Sequence, residues 1–484
     1  MVLYMKNKCV KVFGSIFMMF LMLGALSGCT KHEVVKIEPM EIEEVDTYSV
    51  DVIGGKDVMP IMGFYTPLTS THSSDGNAGR DFLTDEFFQD LEDAGINIII
   101  SNPRTWQNAQ ALTLKTMDFA AEHGIGVVVS DTVIDTAARR KEGDKTFTAE
   151  EALLTMSEYM THPGFAGIYM YDEPATSYYP GNVGIPTMDA FSDIAKVLNK
   201  ELGVMTYQNL CGIGTSKRKE TFEQYLTEYC ETQSPNYIMF DKYPFEKEIR
   251  GKEYGYLYNL ATFREYGQKY NIPWWSFIQC GSQWNDAASY KTSVTPYYPN
   301  EGEFDWSVNM NLAFGAKGLN YFTLVQPHYF AYGTEQGDYD FQRNSMFGAW
   351  GNKNQWYYYA KDINEHVRVI DEVLMNSVSK GILATGEEAK ALCRDTRDAL
   401  MKGTAWRELK AVEGDAVIGC FNYQGKTALY VVNASFDYAQ DITLNFVSKY
   451  KVTVMQDAKT NHISADSVTL KMPAGDGVLL VFES

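Results

Sequence analysis

Gly167-Ile168-Tyr169-Met170-Tyr171-Asp172-Glu173-Pro174 is the stretch on which the reading of this chain turns. An apolar run passes directly into two acidic residues, and a proline, which has no N–H to give to a ladder, ends it. This is the form of a buried strand whose C-terminal end carries polar groups. The form recurs at residues 60–65, 96–101, 126–130, 204–209, 237–240, 274–278 and 318–324. Between these runs, residues 85–94, 112–123, 148–160, 189–202, 219–231, 256–270 and 300–314 read as helices. Gly95 and Gly124 stop the first two, and Thr148 with Glu151 predicts a capping box. Strands apolar throughout and separated by helices predict a parallel sheet covered on its outer face. Eight such units over about 270 residues fit a (β/α)8 TIM barrel better than an open sheet.

From about residue 381 the rhythm changes. Short runs at 416–421, 427–433, 440–446 and 478–482 are separated by turn signals such as Asn422-Tyr423-Gln424-Gly425. They predict a small antiparallel β-sandwich. The expected organisation is a leader at 1–28, a tether at 29–50, the barrel at 51–375 and the sandwich at 376–484.

The leader is read from Lys6, Lys8 and Lys11, the apolar residues 12–26, and Leu26-Ser27-Gly28-Cys29. An apolar run this short falls below the roughly 20 residues that span a bilayer, so it reads as a secretory signal. Its end resembles the bacterial lipobox, which implies cleavage before Cys29 and lipid on its sulfur. The expected location is the bacterial cell envelope, lipid-anchored at the outer membrane or cell surface.

The net charge of −20 argues against nucleic acid and anionic lipid surfaces as partners. Aromatic residues make up 14% of the chain, with 32 Tyr and 8 Trp, a composition suited to stacking on the C–H faces of sugar rings. A carbohydrate is therefore the expected partner. Cysteine and histidine show no metal-site spacing, and neither metal nor cofactor is expected.

Active sites of such barrels lie at the C-terminal strand ends. The strand reading nominates Tyr65, Asn102, Asp131, Asp172 with Glu173, Gln208 with Asn209, Asp241 with Tyr243, Gln279, and Gln326 with His328. Tyr171 adjoins the acidic pair. Successive strand residues alternate, so of Trp274 and Trp275 one packs under the helices and Trp275 is the candidate to face the site. Trp284, Tyr297 and Tyr298 in the following loop offer an aromatic platform. Glu303, three residues after Asn300, reads as half of a capping box.

The Asp172-Glu173-Pro174 turn resembles that of bacterial barrel glycoside hydrolases related to the retaining β-galactosidases and cellulases. Asn311-Leu312-Ala313-Phe314-Gly315-Ala316-Lys317-Gly318-Leu319-Asn320-Tyr321-Phe322 is similar to their last helix and strand. The resemblance spans residues 58–330 and implies hydrolysis of O-glycosyl bonds in a poly- or oligosaccharide, with Glu173 as general acid/base. It leaves Asp172 or Asp241 as the second carboxylate, with Asp131 next. Two positions depart from the clan: Asp172 stands where it carries Asn, and Gln279 where it carries a nucleophilic Glu. The adjacent Asp-Glu pair also resembles N-acetylhexosaminidases, in which the sugar's own acetamido oxygen attacks. A non-catalytic glycan-binding lipoprotein on the same barrel is the alternative.

Overall fold

The computed structural model describes residues 34–36, 57–64, 81–101, 109–141, 144–176, 184–213, 219–245, 255–281, 297–325, 345–348, 351–394, 396 and 407–483. Strand β1 (Val34–Lys36) belongs to a second sheet taken up below. The barrel strands are β2 (Ile61–Gly63), β3 (Ile98–Ile100), β4 (Gly126–Val129), β5 (Phe165–Asp172), β6 (Thr206–Cys211), β7 (Ile238–Asp241), β8 (Trp274–Gln279) and β9 (Leu319–Phe322). Each pairs in parallel with the next, and β9 closes on β2 with Met62 opposite Asn320. The fold is the (β/α)8 barrel that the strand rhythm predicts.

Helices α1 (Asp85–Asp93), α2 (Ala109–Glu122), α3 (Thr132–Ala138), α4 (Ala149–Met160), α5 (Met188–Ala195), α6 (Lys219–Gln233), α7 (Tyr256–Tyr270), α8 (Glu301–Ala313) and α9 (Gln355–Met375) follow in order. A π-helical stretch, Lys196–Glu201, extends α5. Neither α3 nor α9 stands out in the sequence. The first is a short helix begun by the Asp131 side chain, and the second comes after the last strand of the apolar repeat. The capping box at Asn300 and Glu303 is complete in both directions. At Thr148 only half of the predicted box forms, because the Glu151 carboxylate turns away to Arg140.

The remaining strands, antiparallel throughout, are β10 (Ser377–Thr385), β11 (Leu409–Glu413), β12 (Ala416–Tyr423), β13 (Lys426–Asn433), β14 (Gln440–Gln456), β15 (Lys459–Met472) and β16 (Gly477–Phe482), with helix α10 (Gly386–Leu392) after β10. Strand β14 bends where its register to β15 shifts between Asn445 and Tyr450. Its first half pairs with β11 and its second half with β16, so one long hairpin joins the two layers of the sandwich. Part of the expected tether is not free: Val34–Lys36 adds an edge strand to β11.

The central strands are buried on both faces. Ile418, Cys420, Leu429, Val431 and Leu480 face the sandwich interior with Val412 and Leu444. Their neighbours Val417, Phe421, Tyr430, Leu479 and Val481 belong instead to the core that continues into the barrel. Period-2 alternation thus serves two apolar layers at once. Polar contacts fix the junction: Trp306 Nε1 donates to the Ala434 carbonyl (3.1 Å), Tyr430 to Asn309 Oδ1 (2.6 Å), and Asn309 Nδ2 to the Gly475 carbonyl (2.8 Å). At the foot of the barrel, buried Lys317 donates to the carbonyls of Leu374, Met375 and Ser377, closing the C-terminal end of α9. Burial pushes its ammonium down to about 7.

Gly475 is the tightest point of this junction. It lies at φ +70°, and a Cβ there would stand 2.1 Å from the Gly302 carbonyl oxygen. Gly475→Ala is expected to destabilise the protein by about 2–4 kcal/mol, since strain and overpacking act together. Urea unfolding monitored by Trp fluorescence measures it, and an unchanged midpoint would show that the junction yields.

Candidate active site

Strand β5 carries one residue too many for its neighbour. Tyr169 lies opposite Tyr207 and Tyr171 opposite Gln208, so Met170 is bulged. The bulge reverses the facing of the residues on its C-terminal side. The Tyr169 ring packs inward against Phe64 at 5.9 Å, whereas Tyr171 packs outward on Phe191 of α5 at 5.1 Å and accepts from Arg139. Asp172 consequently joins Tyr169 at the mouth and accepts a hydrogen bond from its hydroxyl (3.3 Å). Glu173 comes next at φ 50°, a left-handed conformation rare for a residue with a Cβ, and its N–H is held by the Asn209 carbonyl at 3.0 Å.

Three strand ends then share one hydrogen-bond network. Asn209, buried on β6, uses both protons of its amide: one goes to Asp172 (2.9 Å) and one to Asp241 at the end of β7 (3.2 Å). The Asp241 carboxyl is hydrogen-bonded to Glu173. Cys211, at the end of β6, donates its thiol to Glu173, and its own N–H is held by Tyr225 (3.1 Å).

Asp172 and Glu173 are open to solvent, while Asp241 is half-buried beneath them. Glu173 is exposed as a residue, but its carboxyl end sits against Asp241 and Cys211; this partial desolvation, followed by the like charge of Asp172, raises its pKa, and the hydrogen bonds from Asp241 and Cys211 act the other way. Asp241 is raised well above the usual carboxylate range by burial, then by Glu173 and Asp172. Adjacent carboxyls in contact cannot both ionise cheaply, so this pair holds a proton between them. Burial, with Glu173 and Asp241 next in weight, keeps the Cys211 thiol protonated.

Below the carboxyls lies an aromatic floor. Phe64 meets Phe277 at 5.2 Å and Phe322 at 5.7 Å, and Tyr243 covers Phe322 at 5.4 Å. Tyr169, Cys211, Phe64 and Phe322 are absent from the sequence-level set. Cysteine spacing gives no sign of Cys211, and inward aromatics in apolar strands are indistinguishable from core. The described cysteines, Cys211, Cys230, Cys280, Cys393 and Cys420, are all free and buried.

Several nominated residues lie elsewhere or do other work. Asp131 caps α3 through the Val133 N–H (2.9 Å) and accepts from Tyr159 (2.8 Å), which commits its carboxylate to the helix start. Trp275 does point inward, but deep in the barrel, fully buried against Tyr237 at 4.2 Å; Trp274 packs outward against α7. Gln279 is buried and clamps the loop after β7. Its Oε1 accepts from the Phe245 N–H (3.2 Å), and its Nε2 donates to the carbonyls of Phe245 (2.9 Å) and Gly281 (3.0 Å). An amide suits this place because it presents an acceptor and a donor to the N–H and C=O of one residue. Tyr297 donates to Glu303, and Tyr298 packs near Trp356 at 5.8 Å. Cys29, Tyr65, Asn102, Trp284, Gln326 and His328 lie outside the described residues.

No family model matches the sequence, and no curated protein matches it. Among solved structures, a β-galactosidase from Bacillus circulans sp. alkalophilus aligns with TM-score 0.50 at 9% identity, over 88% of this chain and 99% of its own. A family 39 glycoside hydrolase from the gut symbiont Bacteroides cellulosilyticus WH2 gives 0.49 at 10% identity, over 90% and 82%. At such identity the likeness is one of fold.

The network yields a direct expectation. Removing the Asp172 charge takes a like charge away from Glu173, so Asp172→Asn lowers the pKa at Glu173. Carboxyl 13C titration of Glu-labelled protein reads this as a Glu173 midpoint at lower pH than in the wild type. A midpoint that stays put or rises would contradict the electrostatic account.

Proposed function

We propose that this chain is a glycoside hydrolase acting on an oligo- or polysaccharide, with Glu173 as general acid/base. The observation that carries the reading is the carboxyl cluster of Asp172, Glu173 and Asp241 over an aromatic floor at the mouth of the barrel. A proton shared between Glu173 and Asp241, both raised by their surroundings, supplies the acid that departure of a glycosidic oxygen requires. The fold shared with a β-galactosidase is compatible with this chemistry, although fold alone does not assign it.

The partner across the sugar is the second element of the proposal. A retaining nucleophile stands roughly 5–5.5 Å from the acid and an inverting base roughly 6.5–9.5 Å. Asp241 is hydrogen-bonded to Glu173 itself rather than set across a sugar from it, so its role is to share the proton that Glu173 delivers. Gln279 is occupied by the Phe245 loop and is no nucleophile. The reading that fits these positions is substrate assistance. Glu173 protonates the leaving oxygen while the sugar's 2-acetamido oxygen attacks the anomeric carbon, and Asp172, fixed by Asn209 and Tyr169, orients the acetamido N–H. Glu173 then takes a proton from the water that opens the resulting oxazoline ring. In this proposal the protein is exported and held in the cell envelope by lipid on Cys29.

Release of 4-nitrophenol from paired 4-nitrophenyl glycosides, with and without a 2-acetamido group, tests both parts. The acetamido sugars are expected to be turned over, with kcat lowered about 10²–10⁴-fold in Glu173→Gln of unchanged circular dichroism. Turnover confined to 2-hydroxy sugars would exclude substrate assistance. An unaffected Glu173→Gln rate would remove Glu173 as the acid, and glycan binding without turnover would favour the non-catalytic alternative.

A further inference from the structure

A cavity of about 410 Å³ lies between the barrel helices α8 and α9 and the sandwich, away from the mouth. The volume falls within the roughly 300–1,000 Å³ of small-ligand pockets. Its walls are two helix stripes. Glu301, Asp305 and Asn309 succeed one another at four-residue spacing on α8, and Tyr359, Asp362 and His366 do so at spacings of three and four on α9. Asp457, from the turn between β14 and β15, and Asp476, before β16, complete it.

Among the described residues, no Lys or Arg lines this cavity. Asp305 has no hydrogen bond or ion pair among the described residues, and the charges that act on it are Glu301, Asp476 and Asp362, all of like sign. Asp476 accepts from Gln456 (2.9 Å) and from the Gly477 N–H (2.8 Å), yet burial, and then Asp457, raise it to about 7. His366 does not supply the missing cation, because burial pushes it down to about 4.

His366 adds a second, independent demand. It is only 6% exposed, and the Ala458 N–H donates to its Nδ1 (3.5 Å), which puts the ring proton of the neutral form on Nε2. Nε2 is buried and has no partner among the described residues. Among the described residues the cavity lining therefore holds no cation and gives Asp305 no hydrogen-bond donor, and it lacks an acceptor for one imidazole N–H. No group of three His, Cys, Asp or Glu among the described residues is spaced for a metal ion.

We infer that this cavity is a second ligand site, for a small hydroxylated amine of the amino-sugar type. The ammonium and hydroxyl protons go to Asp305 and the neighbouring carboxylates, and one hydroxyl oxygen accepts from His366 Nε2. The inference does not depend on the mouth being catalytic.

Calorimetric titration of the full chain with D-glucosamine, D-glucose and 1,4-diaminobutane tests it. Glucosamine is expected to bind at least tenfold more tightly than glucose. Asp305→Asn, which keeps shape and removes charge, should weaken glucosamine at least tenfold, and the more peripheral Asp362→Asn should weaken it by a smaller factor. His366→Phe should weaken glucosamine but leave diaminobutane, which has no hydroxyl, unchanged. Glu173→Gln should bind glucosamine as the wild type does. Equal affinity for glucose and glucosamine, absence of glucosamine binding, or its loss in Glu173→Gln would each overturn the proposal. So would full displacement of glucosamine by equimolar calcium chloride, which would point to a metal ion instead.

Discussion

The parity shift in strand β5 is the constraint on which the site depends. In an unbroken strand, Tyr169 and Tyr171 would share one face and Asp172 would point at the helices. The extra residue at Met170 places Tyr169 and Asp172 together, sends Tyr171 outward, and aligns Asp172 with Asn209 of β6. Asn209 then has a carboxylate on each side, and Asp241 comes into reach of Glu173. One insertion in one strand sets the geometry of three strand ends.

Much of this is legible in the sequence. Eight apolar runs with helices between them give the closed barrel, because strands buried on both faces carry the composition that parallel sheets require. Glu173, Asp172, Asn209 and Asp241 are also reachable, since each lies directly at the end of an apolar strand. The bulge is not, because Tyr-Met-Tyr alternates no differently from a regular strand. Asp131 misleads for a related reason: a carboxylate at a strand end serves a ligand or starts the next helix equally well, and here Val133 and Tyr159 take it. Strand β15 escapes because its side chains are mostly exposed and polar, so no apolar period marks it. Cys211 escapes because a single thiol carries no spacing at all.

The second sheet is more than an appendage. Its central strands contribute one face to the sandwich interior and the other to the core of the barrel, and the described residues between 34 and 483 fall within a single compact unit. Lys317 reinforces the connection from below by holding the carbonyls at the end of α9, just where β10 begins. A buried ammonium is tolerated there because the helix end offers several carbonyl acceptors and a negative dipole. The cavity lined by α8 and α9 is a product of the same packing, since the two layers meet through glycines and leave space where acidic side chains face one another.

The clamp made by Gln279 has an evolutionary consequence. Glutamine and glutamate codons differ by a single base, so a nucleophile at this strand end is a near neighbour in sequence space. Structurally it is distant. A carboxylate in that position would face the Phe245 and Gly281 carbonyls with no proton to offer, leaving buried acceptors unpaired. The loop after β7 would have to find a new anchor before the exchange became tolerable. The amide therefore acts as a ratchet, separating this barrel from two-glutamate chemistry by an ordered series of changes.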